Sequence, residues 1–225
     1  MERHQAVLIV GPTGSGKTPL GRLLEEHGLW GRPCRHFDFG SQLRRAAENG
    51  GADAGLTADE LDVVRDVLDR AALLENEHFH IAAKILRSFI AAEPSGAGMV
   101  VLNGLPRHIG QARDIDAIVD IVLVVYLSCP HHIGMARIQT DAGGDRYDRI
   151  DDRAESVIRK QQRFQRRTAP LIDRYRKLGA TTRKFNVTVD TTAEELSEAL
   201  NRLEPHDARA DAAGRDVRGP SRGHW

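Results

Sequence analysis

Five short apolar runs mark the chain, at Ala6–Val10, His36–Phe39, Met99–Leu102, Ile121–Leu127 and Lys184–Val189. The first, third and fourth are almost unbroken Val, Leu and Ile, the pattern of strands covered on both faces in a parallel sheet. Stretches of helical period lie between them: Lys17–His27, Ser41–Glu48, a segment opening at Thr57, Glu77–Ala92, Pro130–Gln139, Asp151–Leu178 and Thr192–Leu203. Thr57 has Glu60 three residues on, a capping box ahead of Leu61, Val64 and Leu68. Pro94 stops the helix that precedes it. Strands alternating with helices predict an α/β fold, a doubly wound five-stranded parallel sheet with helices on both faces and right-handed crossovers. There is no internal repeat. Residues 205–225 are rich in Pro, Gly, Arg, Asp and Ala without an apolar period, which reads as a disordered tail after one domain of residues 1–204.

Bulk composition adds exclusions. At 225 residues, with 40% hydrophobic and 28% charged residues, the chain suits one soluble domain. Its 32 basic and 32 acidic residues balance, so no global field draws it to nucleic acid or to a membrane surface. Lys17, Lys84, Lys160, Lys177 and Lys184 are the only lysines, and all other basic residues are arginines. Arginine offers a planar fork suited to phosphate, although a GC-rich coding bias gives the same excess. Cys34 and Cys129 stand far apart, and neither His78 and His80 nor His131 and His132 have the i, i+4 spacing of a two-histidine zinc site. No zinc is expected. Charged residues lead straight into the first strand without the long apolar region of a signal peptide, and the longest apolar run is too short to cross a bilayer. The expectation is a cytoplasmic monomer.

The strongest local signal is Gly11-Pro12-Thr13-Gly14-Ser15-Gly16-Lys17-Thr18, a complete G-x-x-x-x-G-K-[ST] between a strand and a helix. Glycines there let backbone N–H groups turn toward phosphates, and the helix N-terminus adds a favourable dipole. Lys17 is expected to bridge the β- and γ-phosphates of ATP, with the Thr18 hydroxyl as a Mg²⁺ ligand. Pro19 falls in the first helical turn, where its missing N–H costs little.

Further motifs follow in order. After the second strand comes Phe37-Asp38-Phe39-Gly40-Ser41-Gln42-Leu43-Arg44, and after the third Val101-Leu102-Asn103-Gly104-Leu105-Pro106-Arg107 with Gln111 beyond. Arg149-Ile150-Asp151-Asp152 and Thr168-Ala169-Pro170-Leu171-Ile172-Asp173-Arg174-Tyr175 come later. From Ala6 to Leu203 the chain resembles the adenylate kinase family of P-loop nucleoside monophosphate kinases. The resemblance implies an acceptor-binding insertion at about residues 40–92 and a short lid at about residues 138–150, lacking the cysteines of longer, zinc-carrying lids. It implies that Arg44 and Arg107 hold the α-phosphate of the acceptor, that Gly104 lets the nucleobase approach the backbone and that Gln111 pairs with an adenine edge. Gly40 belongs to the same acceptor site. Arg137 would pack on the ATP adenine, Arg149 would neutralise charge on the transferring phosphoryl group, and Arg146 would be a lid arginine. The implied substrates are Mg-ATP and a nucleoside monophosphate, AMP first.

Three positions depart from the family pattern. Asn103 stands where the family has an acid that helps hold hydrated Mg²⁺; the amide could still act through metal-bound water, or serve a network with Asp38 or Asp151. Phe39 replaces a small hydroxyl residue beside Gly40. Lys160 stands where a phosphate-binding arginine is usual, giving a point charge in place of a fork. These departures leave two alternatives to AMP phosphorylation. One is a kinase for another acceptor, such as CMP, UMP, dAMP or a non-nucleotide; the other is a weakly active nucleotide-binding regulator.

Overall fold

Val7 and Ile9 alternate with Ala6, Leu8 and Val10, so the first strand is apolar on both pleat faces and needs cover on each. It obtains that cover at the centre of the sheet. The computed structural model describes residues 3–70, 72–92, 98–144 and 154–203. Its strands are β1 (His4–Val10), β2 (Cys34–Asp38), β3 (Met99–Asn103), β4 (Val119–Ser128) and β5 (Thr181–Asn186). They pair in parallel in the order β2-β3-β1-β4-β5. The helices are α1 (Lys17–His27), α2 (Phe39–Glu48), α3 (Ala58–Asp69), α4 (Phe79–Ala91), α5 (Ile109–Asp116), α6 (His131–Gln139), α7 (Ala154–Arg163), α8 (Pro170–Lys177) and α9 (Ala193–Asn201). None of the described helices is long and apolar enough to cross a membrane.

The period of two along β1 divides the core. Ala6, Leu8 and Val10 pack with Phe37, Leu102 and Val124 beneath Leu43, Val64, Ile85, Ile115 and Leu171, which come from α2, α3, α4, α5 and α8. Val7 and Ile9 pack with Val101 and Val125 against Leu20 and Leu24 of α1 and Leu196 and Leu200 of α9. The predicted doubly wound α/β sheet is therefore the observed one.

Several boundaries differ from the sequence reading, each for a local reason. Helix α2 starts at Phe39, two residues early, because the Asp38 carboxylate accepts the Ser41 N–H at 3.0 Å and caps the helix there. Strand β5 starts at Thr181 and ends at Asn186, since the carbonyls of Thr188, Val189 and Thr191 turn away to meet Arg137. Helix α5 was not predicted; it has only eight residues, too few for a clear period. The Asp151–Leu178 helix is not continuous. Pro170 has no N–H to donate, and a π-helical segment, Phe164–Thr168, precedes α8, with Ala169 N–H bonding Phe164 O at 2.9 Å.

Helix α1 comes close to β2 at one point. A Cβ on Gly21 would overlap the buried His36 ring. Burial holds the His36 pKa below its ordinary value, so the ring sits there uncharged. Gly21→Ala is expected to lower stability by about 1–3 kcal/mol through overpacking. Urea unfolding measures the loss, and the double variant Gly21→Ala/His36→Ala should recover part of it.

Candidate active site

The segment Gly11–Thr18 leaves the C-terminal end of β1 and turns into α1. Gly14 and Gly16 hold φ of 84° and 89°, left-handed values that an L side chain rarely adopts. Gly14 is further fixed by contact: a Cβ there would lie 2.5 Å from Gly134 O of α6. The other half of this close approach is Gly134, whose own Cβ would lie 2.9 Å from Thr13 O. The loop is thus seated backbone to backbone on α6. Asp38, Thr57 and Thr192 cap α2, α3 and α9 with side chains, but α1 starts at Gly16 with no side-chain cap and no acid in its first turn. Its dipole and first amides are left to favour an anion at the loop. Lys17 Nζ donates to Pro12 O at 2.7 Å, folding the side chain over the loop.

Three side chains meet where β2 and β3 end beside α1. Thr18 Oγ1 donates to Asp38 Oδ2 at 2.9 Å, and Asn103 Nδ2 lies 2.7 Å from Asp38 Oδ2 and 3.0 Å from Thr18 Oγ1. Both oxygens near the Asn103 amide are acceptors, which fixes its NH₂ toward them. The group suits a small hard cation such as Mg²⁺, which takes oxygen ligands and favours a nearby carboxylate. With its proton committed to Asp38 and one lone pair facing the Asn103 N–H, the Thr18 oxygen keeps one lone pair for a metal. Among the described residues no cluster of three or more His, Cys, Asp or Glu side chains is arranged to hold a metal ion.

Arg137 is buried behind the phosphate loop. Its Nε donates to Gly14 O at 3.1 Å, and its Nη1 lies 3.0, 2.9 and 2.8 Å from the carbonyl oxygens of Thr188, Val189 and Thr191. The donor edge of this guanidinium therefore clasps the loop after β5 to the phosphate loop. With these donors engaged, the plane of the guanidinium is the part that the resemblance implies for packing on an adenine. Beside it Cys129 is buried, which pushes its thiol pKa up.

The expected acceptor residues gather at the ends of β2 and β3. Arg44 is exposed on α2, and its Nη2 donates to Ser41 Oγ at 3.1 Å. A Cβ on Gly40 would lie 3.7 Å from Arg44 Nη1. Half-buried Arg107 donates from Nε to Gly104 O at 2.9 Å. Gly104, at φ 84°, comes close to the Phe39 backbone; a Cβ there would lie 3.6 Å from both Phe39 Cβ and Arg107 Nη2. Gln111 is buried and engaged at both ends. Its Oε1 accepts the Arg107 N–H at 2.9 Å, and its Nε2 donates to Leu74 O at 2.8 Å. One N–H and one lone pair of this amide are not used by these two bonds.

Of the supporting contacts, Thr168 opens a motif that the sequence singles out, whereas the Glu75–Arg167 pair has no sequence signal. Thr168 Oγ1 donates to Arg107 O at 2.8 Å, fixing the π-helical segment to the acceptor loop. Arg167 forms a bidentate pair with Glu75, both bonds 2.7 Å, and these bonds hold the Glu75 carboxyl below the ordinary carboxylate range. Lys160 is half-buried on α7. The expected positions Arg146 and Arg149, residues 145–150 of the expected lid and the 205–225 tail lie outside the described residues.

Replacing Arg137 leaves four carbonyls without this donor. Arg137→Ala is expected to cost roughly 2–3 kcal/mol in urea unfolding. Arg137→Lys should restore only part of that loss, because a single ammonium lacks the planar fork.

Comparison with known proteins agrees with this geometry. Residues 7–168 match the family described as AAA domain, a P-loop module. The adenylate kinase of Synechococcus sp. (strain WH7803) is 32% identical over 182 residues, spanning 78% of this chain and 86% of its own. The adenylate kinase of Parvibaculum lavamentivorans is 29% identical over 183 residues, 77% of this chain and 80% of its own. That of Xanthomonas campestris pv. campestris (strain 8004) is 29% identical over 203 residues, 87% and 99% of the two chains. The phosphate loop on the central strand, the strand-end arginines and similarity over most of the chain place this protein in the adenylate kinase family, the ATP-dependent nucleoside monophosphate kinases.

Proposed function

We propose that this protein transfers the γ-phosphoryl group of Mg-ATP to a nucleoside monophosphate, with AMP as the first candidate acceptor. The observation that carries the reading is the arrangement of phosphate-binding groups along one edge of the sheet. Lys17 and Thr18 stand after β1, Arg44 follows β2, and Arg107 follows β3. Open α/β sheets bind ligands at that edge.

In this reading the triphosphate lies along the loop amides and the uncapped start of α1. Lys17 leaves its contact with Pro12 O for the β- and γ-oxygens. Arg107 and Arg44 hold the acceptor α-phosphate so that its oxygen faces the γ-phosphorus in line. Thr18 would hold Mg²⁺, which would supply charge to the β- and γ-oxygens. Positioning and charge stabilisation account for most of the catalysis in such transfers, because the transition state is loose and anionic. Arg149 and Lys160 are proposed to add positive charge from the lid side, and Arg137 to offer its plane to the adenine of ATP. Gly40 and Gly104 give the acceptor room beside the backbone.

A second reading, in which the acceptor is a different monophosphate, rests on two contacts. The Phe39 ring is buried and stacked on Phe37, with centroids 6.2 Å apart, and Gln111 is bonded to Leu74 O. Both bear on the acceptor base and neither bears on the phosphate loop.

The test is a coupled assay of Mg-ATP with a panel of monophosphates, in which ADP formation with AMP is expected to be fastest. Slow ATP hydrolysis that no monophosphate accelerates would sink the proposal; faster turnover with CMP, UMP or dAMP selects the second reading. Lys17→Ala is expected to reduce turnover by on the order of 10²-fold or more, since a cation facing developing charge is lost. Arg107→Ala should raise the acceptor KM and leave ATP affinity nearly unchanged. Collapse of ATP binding with acceptor binding intact would assign Arg107 to the other half of the cleft.

A further inference from the structure

We infer that Asp38, at the end of β2, is the carboxylate that positions the Mg²⁺ of the nucleotide in this protein, with Asn103 reduced to orienting it. The inference rests on the proposed Mg-ATP reading and assigns a residue to it.

The sheet register supports the assignment. Asp38 and Asn103 are Cα partners across the parallel β2–β3 pair, so the two side chains leave adjacent strand ends on the same face. Both reach Thr18 Oγ1, the metal-ligand hydroxyl of the phosphate loop, at 2.9 Å from Asp38 Oδ2 and 3.0 Å from Asn103 Nδ2. A carboxylate at either position therefore faces the same place. Here the charge is on β2. Asn103 turns its NH₂ and not its carbonyl oxygen toward this place, and one N–H points at Asp38 Oδ2 from 2.7 Å.

Two constraints keep the Asp38 carboxylate in place. Its Oδ1 accepts the Ser41 N–H at 3.0 Å as the cap of α2, and its Oδ2 takes the bonds from Thr18 and Asn103. The group is thus bound to the phosphate loop, to β3 and to the first turn of α2 at once. It is half-buried, whereas Thr18 and Asn103 are buried. A charge in so partly dry a setting acts on a nearby divalent ion far more strongly than one in open water. An Asp38 serving only as a helix cap needs no contact with Thr18, and an amide caps a helix about as well as a carboxylate. That equivalence makes the two roles separable.

The experiment uses the full-length chain with AMP-PNP, a non-hydrolysed ATP analogue, and reads Mn²⁺ binding to the complex by electron paramagnetic resonance. AMP-PNP affinity without metal is measured alongside. Asp38→Asn keeps the size and the cap and removes the charge. It is expected to weaken Mn²⁺ binding at least tenfold, with metal-free AMP-PNP affinity within about twofold of wild type. The exchanged pair Asp38→Asn/Asn103→Asp returns one carboxylate to the register position opposite and should recover most of the lost Mn²⁺ affinity. Unchanged Mn²⁺ affinity in Asp38→Asn overturns the assignment and leaves Asp38 as a cap. An exchanged pair binding Mn²⁺ no better than Asp38→Asn overturns it as well, since the ion then does not sense a carboxylate at this pair of strand ends. A loss of metal-free AMP-PNP binding as large as the Mn²⁺ loss points to loop damage, again against the proposal. Failure of the underlying nucleotide reading shows separately, as wild-type protein that does not bind AMP-PNP with or without metal.

Discussion

Pairing of β1 between β3 and β4 is the constraint on which the other features depend. The strand is apolar on both faces and is stable only where both are covered, which is the centre of the sheet. From there the chain leaves to β2 on one side, while β4 and β5 extend the sheet on the other. Crossovers in a parallel sheet return every strand with the same polarity, so each functional loop emerges at one edge. The phosphate loop follows the strand at the reversal of order, where neighbouring loops diverge and leave a crevice. Hydrophobic burial thus selects the place where phosphates can be bound.

Once the loop is there, its shape is kept by contacts with no tolerance for extra atoms. Gly14 and Gly134 bring the loop and α6 together at backbone distance, and Gly21 gives α1 the same closeness to His36. Arg137 closes the arrangement from behind by collecting carbonyls from two loops that are far apart in sequence. Each bond by itself is modest, and the structural weight of this one buried guanidinium lies in the four carbonyls it meets at once.

At the end of β3 the same economy of groups appears at lower burial. Arg107 is held through its own N–H, its Nε and its carbonyl, which meet Gln111, Gly104 and Thr168 respectively. The Thr168 contact comes from the π-helical segment that precedes Pro170, so a helix irregularity and the position of the loop after β3 are linked. The Glu75–Arg167 pair joins the segment before α4 to the same region. Asp38, like Arg107, joins several elements through one side chain.

The sequence by itself determined the sheet, its parallel sense and the helical layers, because apolar runs and helical periods are local signals that the burial of a parallel sheet amplifies. It determined the phosphate loop as well, since Gly14, Gly16, Lys17 and Thr18 are adjacent and their chemistry depends on that adjacency. It also singled out Asn103 as a departure. Only the tertiary structure decided which group stands opposite that departure, because Asp38 and Asn103 are 65 positions apart and become partners solely through strand register. The same holds for Arg137, whose carbonyl partners lie more than 50 positions away on both sides, and for Gln111, whose amide meets Leu74. Local pattern specifies elements because hydrogen bonding and side-chain period act over a few residues. Which polar group answers which is set by how the elements pack, and no spacing along the chain encodes it.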